Sequence, residues 1–262
     1  MKDFNELTTF LIMLSGEASK IMLKYYSPLG IKFEKKSDFS PVTIADIEIN
    51  KMVIDLVKHY YNEYEILGEE ISTDVCKSNK LFVIDPLDGT QMFAIGAPMF
   101  GFSAAVVIDG ESVSGIVANP LAHRTLVAQK GKGSYLIESN SKICVSNKNS
   151  LEKAIVNYGW MESGISKLLH NSKSFTPEVY SVCEAGSLVA LGGFDGMIFL
   201  GKSAHDVAAI KIIVEEAGGK VTDLHGNDQL YNNTIFGAIV SNKIIHDDLV
   251  NIVKKSKIIN TL

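Results

Sequence analysis

A layered α/β fold (α+β layered), in which helices cover the faces of sheets, is the class that this 262-residue chain predicts. Three observations carry it. Segments of helical period open and close the chain, a block of short β-like runs fills residues 101–137, and the second half alternates helix and strand again. With 46% hydrophobic and 21% charged residues the chain has ordinary globular usage, enough for one large α/β domain or two tightly joined halves.

Phe4, Leu7, Leu11, Leu14, Ala18, Ile21 and Met22 recur at steps of three and four and predict an amphipathic helix over 4–26, ending before Pro28. Residues 31–34 alternate like a short strand, and 37–41 read as a loop. Thr43 suits the N-cap of a second helix reaching about Tyr60. The run Leu81-Phe82-Val83-Ile84 reads as a buried strand that Pro86 should end, and Asp88-Gly89 then makes a tight turn with outward-pointing amides. Strands follow over 101–109, 113–119, 124–129 and 133–137, with Asp109-Gly110 and the Lys130 to Gly133 stretch as hairpin turns. Polar residues over 139–150 divide the chain into an N-terminal α+β half, residues 1–140, and a C-terminal α/β half, residues 141–262. In the second half we expect strands over 155–158, 197–200, 220–223 and 235–241. Helices are expected over 163–169, 181–191, 204–217 and 244–255, with Gly192-Gly193 and Gly218-Gly219 as stop signals.

Composition excludes several classes. A formal charge of -5 without clustered basic residues argues against nucleic acid as a partner. No run approaches the roughly eighteen apolar residues a membrane span needs, and the N-terminus lacks the basic-then-apolar layout of a signal peptide, so a cytoplasmic protein with no membrane partner is expected. Cys76, Cys144 and Cys183 are scattered and read as reduced packing residues. The stretch from Gly196 to Ser203 satisfies the bare phosphate-loop pattern G-x-x-x-x-G-K-S, yet its middle residues Met-Ile-Phe-Leu read as a strand, whose amides a ladder would occupy. No G-x-S-x-G or H-E-x-x-H spacing is present.

Asp85-Pro86-Leu87-Asp88-Gly89-Thr90 carries the chemistry. Its two carboxylates at a strand end suit a hard cation such as Mg2+, and free amides in the following turn suit phosphate oxygens. Three other acidic groups could join it: Glu69-Glu70, Asp46 and Asp206. Taken singly, the glutamates read as exposed loop acids and the aspartates as first-turn partners of a helix dipole. Taken together they supply ligands for at least two cations roughly 3.5 to 4 Å apart, the arrangement of metal-dependent phosphoryl hydrolysis.

These segments, with residues 40–46 upstream and His205-Asp206-Val207-Ala208-Ala209 and Glu216-Ala217-Gly218-Gly219 downstream, resemble the inositol monophosphatase family from about Glu17 to Asn242. The resemblance implies alternating helix and sheet layers of the inositol monophosphatase and fructose-1,6-bisphosphatase type. It implies a Mg2+-dependent phosphomonoesterase, inositol-1-monophosphatase-like, using two or three ions, with Mn2+ as a substitute. Glu69, Asp85 and the Leu87 carbonyl would bind the first ion, Asp85, Asp88 and Asp206 the second, and Glu69 with Glu70 would face a third. Asp46, Glu70 and Thr90 would be catalytic, with Thr90 and Asp46 orienting the attacking water. Gly89, Thr90 and Asp206 would contact the substrate. Lithium sensitivity and a homodimer are implied in the same way.

Two departures bear on the substrate. Phe199 stands where inositol-cleaving members place a glutamate that contacts ring hydroxyls, and a phenyl ring accepts no such hydrogen bond. His205 replaces a customary tryptophan and reads as a structural histidine, not a ligand. Phe93, Gly96, Pro98 and Phe100-Gly101, with residues 38–43, are also similar to histidinol-phosphate phosphatases of the same family. The expected substrate is therefore a small phosphorylated metabolite, with histidinol phosphate and adenosine 3',5'-bisphosphate as alternatives to inositol phosphate. A retained scaffold that binds a protein partner without catalysis is the alternative of another class.

Overall fold

The computed structural model describes residues 4–35, 41–69, 78–159 and 164–258. Helix α1 (Glu6–Tyr25) starts where the Asn5 side chain accepts from the Thr8 amide, with Glu6 in its first turn and Lys24 in its last, as the helix dipole favours. The short strands β1 (Glu34–Lys35) and β2 (Pro41–Val42) pair antiparallel and lead into α2 (Ile44–Tyr60). Next come β3 (Glu65–Gly68), β4 (Lys80–Asp88), the short helix α3 (Thr90–Ala94), β5 (Gly101–Ile108), β6 (Glu111–Asn119), β7 (Arg124–Gln129), β8 (Gly133–Leu136) and β9 (Ser141–Lys142). The rest of the chain forms β10 (Val156–Asn157), α4 (Gly164–Asn171), α5 (Val182–Ala190), β11 (Gly196–Phe199), α6 (Ala204–Glu216), β12 (Lys220–Thr222), β13 (Ala238–Ser241) and α7 (His246–Ser256).

Strands β3 to β9 form a seven-stranded sheet in sequence order, and a four-stranded sheet has the order β10-β11-β13-β12. Period-two side-chain alternation decides what covers each face. Phe82, Ile84, Phe102, Ala104 and Val106 point to a core shared with α1 and α2. Leu81, Val83, Ala105 and Val107 point the other way, to a core shared with α5, α6 and one face of the second sheet. The outer face of that second sheet, with Val156, Ile198 and Ile239, is covered by Ile165 and Leu169 of α4 and by Leu249 and Val253 of α7. The result is five layers, helix-sheet-helix-sheet-helix.

Helix α6 is the middle layer, and its sequence shows why. Val207, Ala208, Ile210, Ile212, Ile213 and Val214 are all buried, so the helix is apolar around most of its circumference, as a helix between two sheets must be. It lies close on β6: a Cβ at Gly115 would stand 2.5 Å from the Ile212 Cγ2 and 2.9 Å from the Ala209 carbonyl oxygen. Only glycine permits that approach.

Three expectations need correction. Pro86 does not end its strand: β4 runs on to Asp88, with Asp85 opposite Ser103 and Asp88 opposite Gly101. Three steps along β4 face two along β5, so the chain bulges, and the residue without an N–H falls inside the interruption of the ladder. The strand expected over 31–34 is confined to Glu34–Lys35, because the Ile31 amide donates instead to the Ala94 carbonyl. The strand expected from 235 begins at Ala238, since the Ile235 amide donates to the Lys202 carbonyl. The Gly196 to Phe199 stretch is a strand with partners on both sides, so its amides do not form a phosphate loop. Asp109 (φ 53°) and Gly110 (φ 82°) make the expected hairpin turn. Among the described residues, no helix is long and apolar enough to cross a membrane.

His246 ties α7 to the second sheet: its Nε2 lies 2.9 Å from the Thr222 hydroxyl and its Nδ1 2.7 Å from the Ser241 hydroxyl. Burial, with Lys220 nearby, lowers its pKa from 6.5 to about 4. An unfolded chain takes up that proton near the ordinary value while the folded chain does not, so this stability is present above that value and is lost as pH falls towards about 4. Between pH 7 and pH 5 the loss amounts to about 2 kcal/mol. In urea unfolding, His246→Gln is expected to shrink the stability difference between pH 7 and pH 5 by that amount, and an unchanged difference would contradict the assignment.

Candidate active site

The ends of β3 and β4 and the starts of α5 and α6 line one cleft of about 560 Å³, with the start of α2 behind Thr90, and backbone register explains the meeting. Strands β3 and β4 run parallel with Gly68 beside Ile84, so Glu69 and Asp85 emerge next to one another. The bulge of β4 then carries Leu87 and Asp88 to the same end. Helix α2 contributes Asp46 from its first turn and α6 contributes Asp206 from its first turn. The first turn of α5 faces Asp88: the Ser181 hydroxyl, the Cys183 amide (2.8 Å) and the Val182 amide (3.3 Å) all donate to its carboxylate.

Two overlapping groups of ligand atoms result. One oxygen each from Asp85, Asp88 and Asp206 lie within 4.8 Å of one another, as do ligand atoms of Glu69, Asp85 and His205. Asp85 belongs to both. Burial, then Glu69, Asp88, Asp206 and Asp46 in turn, hold the Asp85 carboxyl well above its usual range. Asp206 is raised well above the usual range by burial and by Asp88 and Glu69. Asp88 is raised by burial, opposed by the hydroxyl and amides donated from α5. Like-charged carboxylates in so little space favour a cation between them. Four carboxylates and a backbone carbonyl are hard oxygen donors, a set that fits a Mg2+-type ion.

Beside this cluster, Asp46 is held twice. The Thr43 amide donates to its Oδ2 at 2.8 Å and the Asp46 amide donates back to the Thr43 side chain, a capping box; the Thr43 hydroxyl also donates to Oδ2 at 2.5 Å, and the Thr90 hydroxyl lies 3.0 Å from its Oδ1. Burial pushes its pKa up to about 6 against those hydrogen bonds. The Thr90 hydroxyl also lies 2.9 Å from the Leu87 carbonyl, and the Leu87 amide donates to Asp85 Oδ1 at 3.1 Å. Gly89 precedes α3 with φ of +80°.

The structure therefore brings together Asp46, Glu69, Asp85, Leu87, Asp88, Gly89, Thr90 and Asp206. Glu70, expected to be catalytic, lies outside the described residues. Two contributions escape a reading of the sequence. Ser181 is legible as an N-cap, but nothing local says that the helix it starts points at Asp88. His205 reads as structural, yet its imidazole stands among the ligand atoms. Phe199, Tyr180 and Val182 form an apolar wall shared with a neighbouring cavity of about 240 Å³.

With this geometry in place, comparison with known proteins is decisive at the level of class. The model of the inositol monophosphatase family matches residues 3–257. The chain is 33% identical over 226 residues to a fructose-1,6-bisphosphatase/inositol-1-monophosphatase of Thermotoga maritima, covering 85% of this chain and 86% of that protein. It is 26% identical over 251 residues to a histidinol-phosphatase of Mycobacterium tuberculosis, covering 91% and 94%. Its fold is similar to that of a solved IMPase from Thermotoga maritima, with a TM-score of 0.86 at 29% identity over 96% of this chain and 98% of that one. The chain belongs to the inositol monophosphatase family, a family of metal-dependent phosphatases.

Gly89 sets the geometry of the turn. A Cβ there would stand 2.5 Å from the Met99 carbonyl oxygen, whereas Gly131, at φ of +76°, has nothing within 4 Å of a built Cβ. Gly131→Ala should cost only the left-handed conformational penalty of about 1–2 kcal/mol. Gly89→Ala should cost more by urea denaturation, and equal losses would show that the close approach is unimportant.

Proposed function

We propose that the protein is a Mg2+-dependent phosphomonoesterase acting on a small phosphate monoester without a covalent phosphoenzyme. The observation that carries this reading is the convergence of Glu69, Asp85, Asp88 and Asp206 from distant segments beside the Asp46–Thr90 pair. Glu69, Asp85 and the Leu87 carbonyl would hold one cation, and Asp85, Asp88 and Asp206 a second, with Mn2+ as a substitute. Such ions, when bound, supply positive charge to the ester oxygens and acidify water.

The chain's own groups do the rest. The Thr90 hydroxyl accepts a hydrogen bond from the attacking water and passes its own proton towards Asp46, whose pKa of about 6 leaves it mostly ionised at neutral pH. The Leu87 carbonyl lies 2.9 Å from the same hydroxyl as the alternative acceptor for its single proton. The Gly89 and Thr90 amides, at the start of α3, face the phosphate oxygens. In-line attack forms one P–O bond as the ester P–O bond breaks. The water's proton rests on Asp46 before returning to solvent, and the leaving alkoxide takes a proton from water.

The substrate wall supports a finer choice. Inositol-1-monophosphatase-like chemistry is retained, but Phe199, Tyr180 and Val182 offer an apolar surface where a cyclitol needs hydrogen-bond partners. Esters with an apolar or planar face fit better, histidinol phosphate and adenosine 3',5'-bisphosphate among them. Lithium sensitivity, a homodimeric state and a cytoplasmic location belong to the same proposal.

Phosphate release with Mg2+ from inositol 1-phosphate, histidinol phosphate, adenosine 3',5'-bisphosphate and fructose 1,6-bisphosphate tests the reading. Silence across the panel would favour a partner-binding scaffold instead. Asp88→Asn is expected to lower turnover by at least about 100-fold with the fold retained by circular dichroism. Phe199→Glu is expected to raise kcat/KM for inositol 1-phosphate relative to the other esters, and an unaltered preference would place the specificity elsewhere.

A further inference from the structure

His205 immediately precedes Asp206 in the first turn of α6. Its imidazole faces the cleft with 16% of the side chain exposed, and its Nε2 lies 4.0 Å from Asp206 Oδ1. A ring nitrogen of His205 and carboxylate oxygens of Glu69 and Asp85 all lie within 4.8 Å of one another. The second group, Asp85 with Asp88 and Asp206, contains oxygen alone. The two groups share Asp85 and differ in chemistry.

Resting on the reading that this cleft holds divalent cations, we infer that His205 is a ligand to the cation held by Glu69 and Asp85, making that position a mixed nitrogen and oxygen site. Magnesium is a poor partner for imidazole, while manganese, cobalt and zinc accept it readily. The two positions are therefore unequal. The all-oxygen group suits Mg2+, and the group containing His205 favours a first-row transition ion over Mg2+. The length of the side chain fits this role: from a neighbouring position on the same helical turn, the imidazole reaches Glu69 and Asp85 while Asp206 reaches Asp88. All five residues of the two groups thus come from the ends of β3, β4 and α6, which the core already holds in register.

The test uses the whole protein loaded with Mn2+ and reads coordination, not turnover. Pulsed electron paramagnetic resonance is expected to show nitrogen hyperfine coupling at Mn2+, altered when the protein carries isotopically labelled histidine, and lost in His205→Gln. In the same variant the ratio of Mn2+ to Mg2+ affinity should fall about tenfold, as for other lost metal-site partners. Labelling of the unsubstituted protein keeps the inference testable if the variant does not fold. Mn2+ bound with no histidine nitrogen coupling, or coupling that survives in His205→Gln, would overturn the inference and leave the phosphatase reading standing. Failure of Mn2+ and Mg2+ to bind, or binding unaffected by Asp85→Asn, would overturn the cation reading beneath it.

Discussion

Asp85 is 2% exposed and has four other carboxylates as electrostatic neighbours, each of which disfavours its ionised form. Concentrating negative charge inside a low-dielectric core is among the most unfavourable things a fold can do, unless dipoles or cations answer it. Much of the architecture here is that answer. The first turn of α5 gives Asp88 a hydroxyl and two amides. Thr43, the N-cap of α2, gives the Asp46 carboxylate an amide and a hydroxyl. Asp206 sits at the positive end of α6. What remains unanswered is charge that divalent ions are suited to balance.

That arrangement depends on helix ends being aimed from different layers. The orientation of α5 has its own support. Arg124, the chain's sole arginine, pairs with Glu184 in the first turn of α5, and the Asn119 side chain donates to the same glutamate at 3.1 Å. A planar guanidinium on a buried carboxylate fixes direction as well as charge. The ends of β6 and β7 thereby steady the helix whose amides hold Asp88, linking sheet geometry to the electrostatics of the cleft.

Helix period, glycine stops and the hairpin turns were legible because they are local: α1, α2, α5, α6 and the run from β5 to β8 follow from spacing and capping residues. The metal-type acids were legible as residue types at a strand end and in helical first turns. Their convergence was legible only through resemblance to a family, since no spacing says that Glu69 lies beside Asp85; a parallel strand pair does. Pro86 misled because its usual meaning is termination, whereas here a bulge absorbs its missing N–H. The place of His205 beside Glu69 and Asp85 was not legible, because a lone histidine carries no pattern and these neighbours come from β3 and β4, distant in the chain.

The burial of α6 on nearly every side has a consequence for ionic radius. Asp206 and His205 are fixed to a rod wedged between two sheets, with Ile212 against Gly115 and Ile210 against Gly186. Close-packed interiors compress very little. The gap between the α6 end and the β4 end therefore resists widening or narrowing, and for the cations proposed to lie there tolerance of size would be set by the stiffness of hydrocarbon packing well behind the carboxylate oxygens.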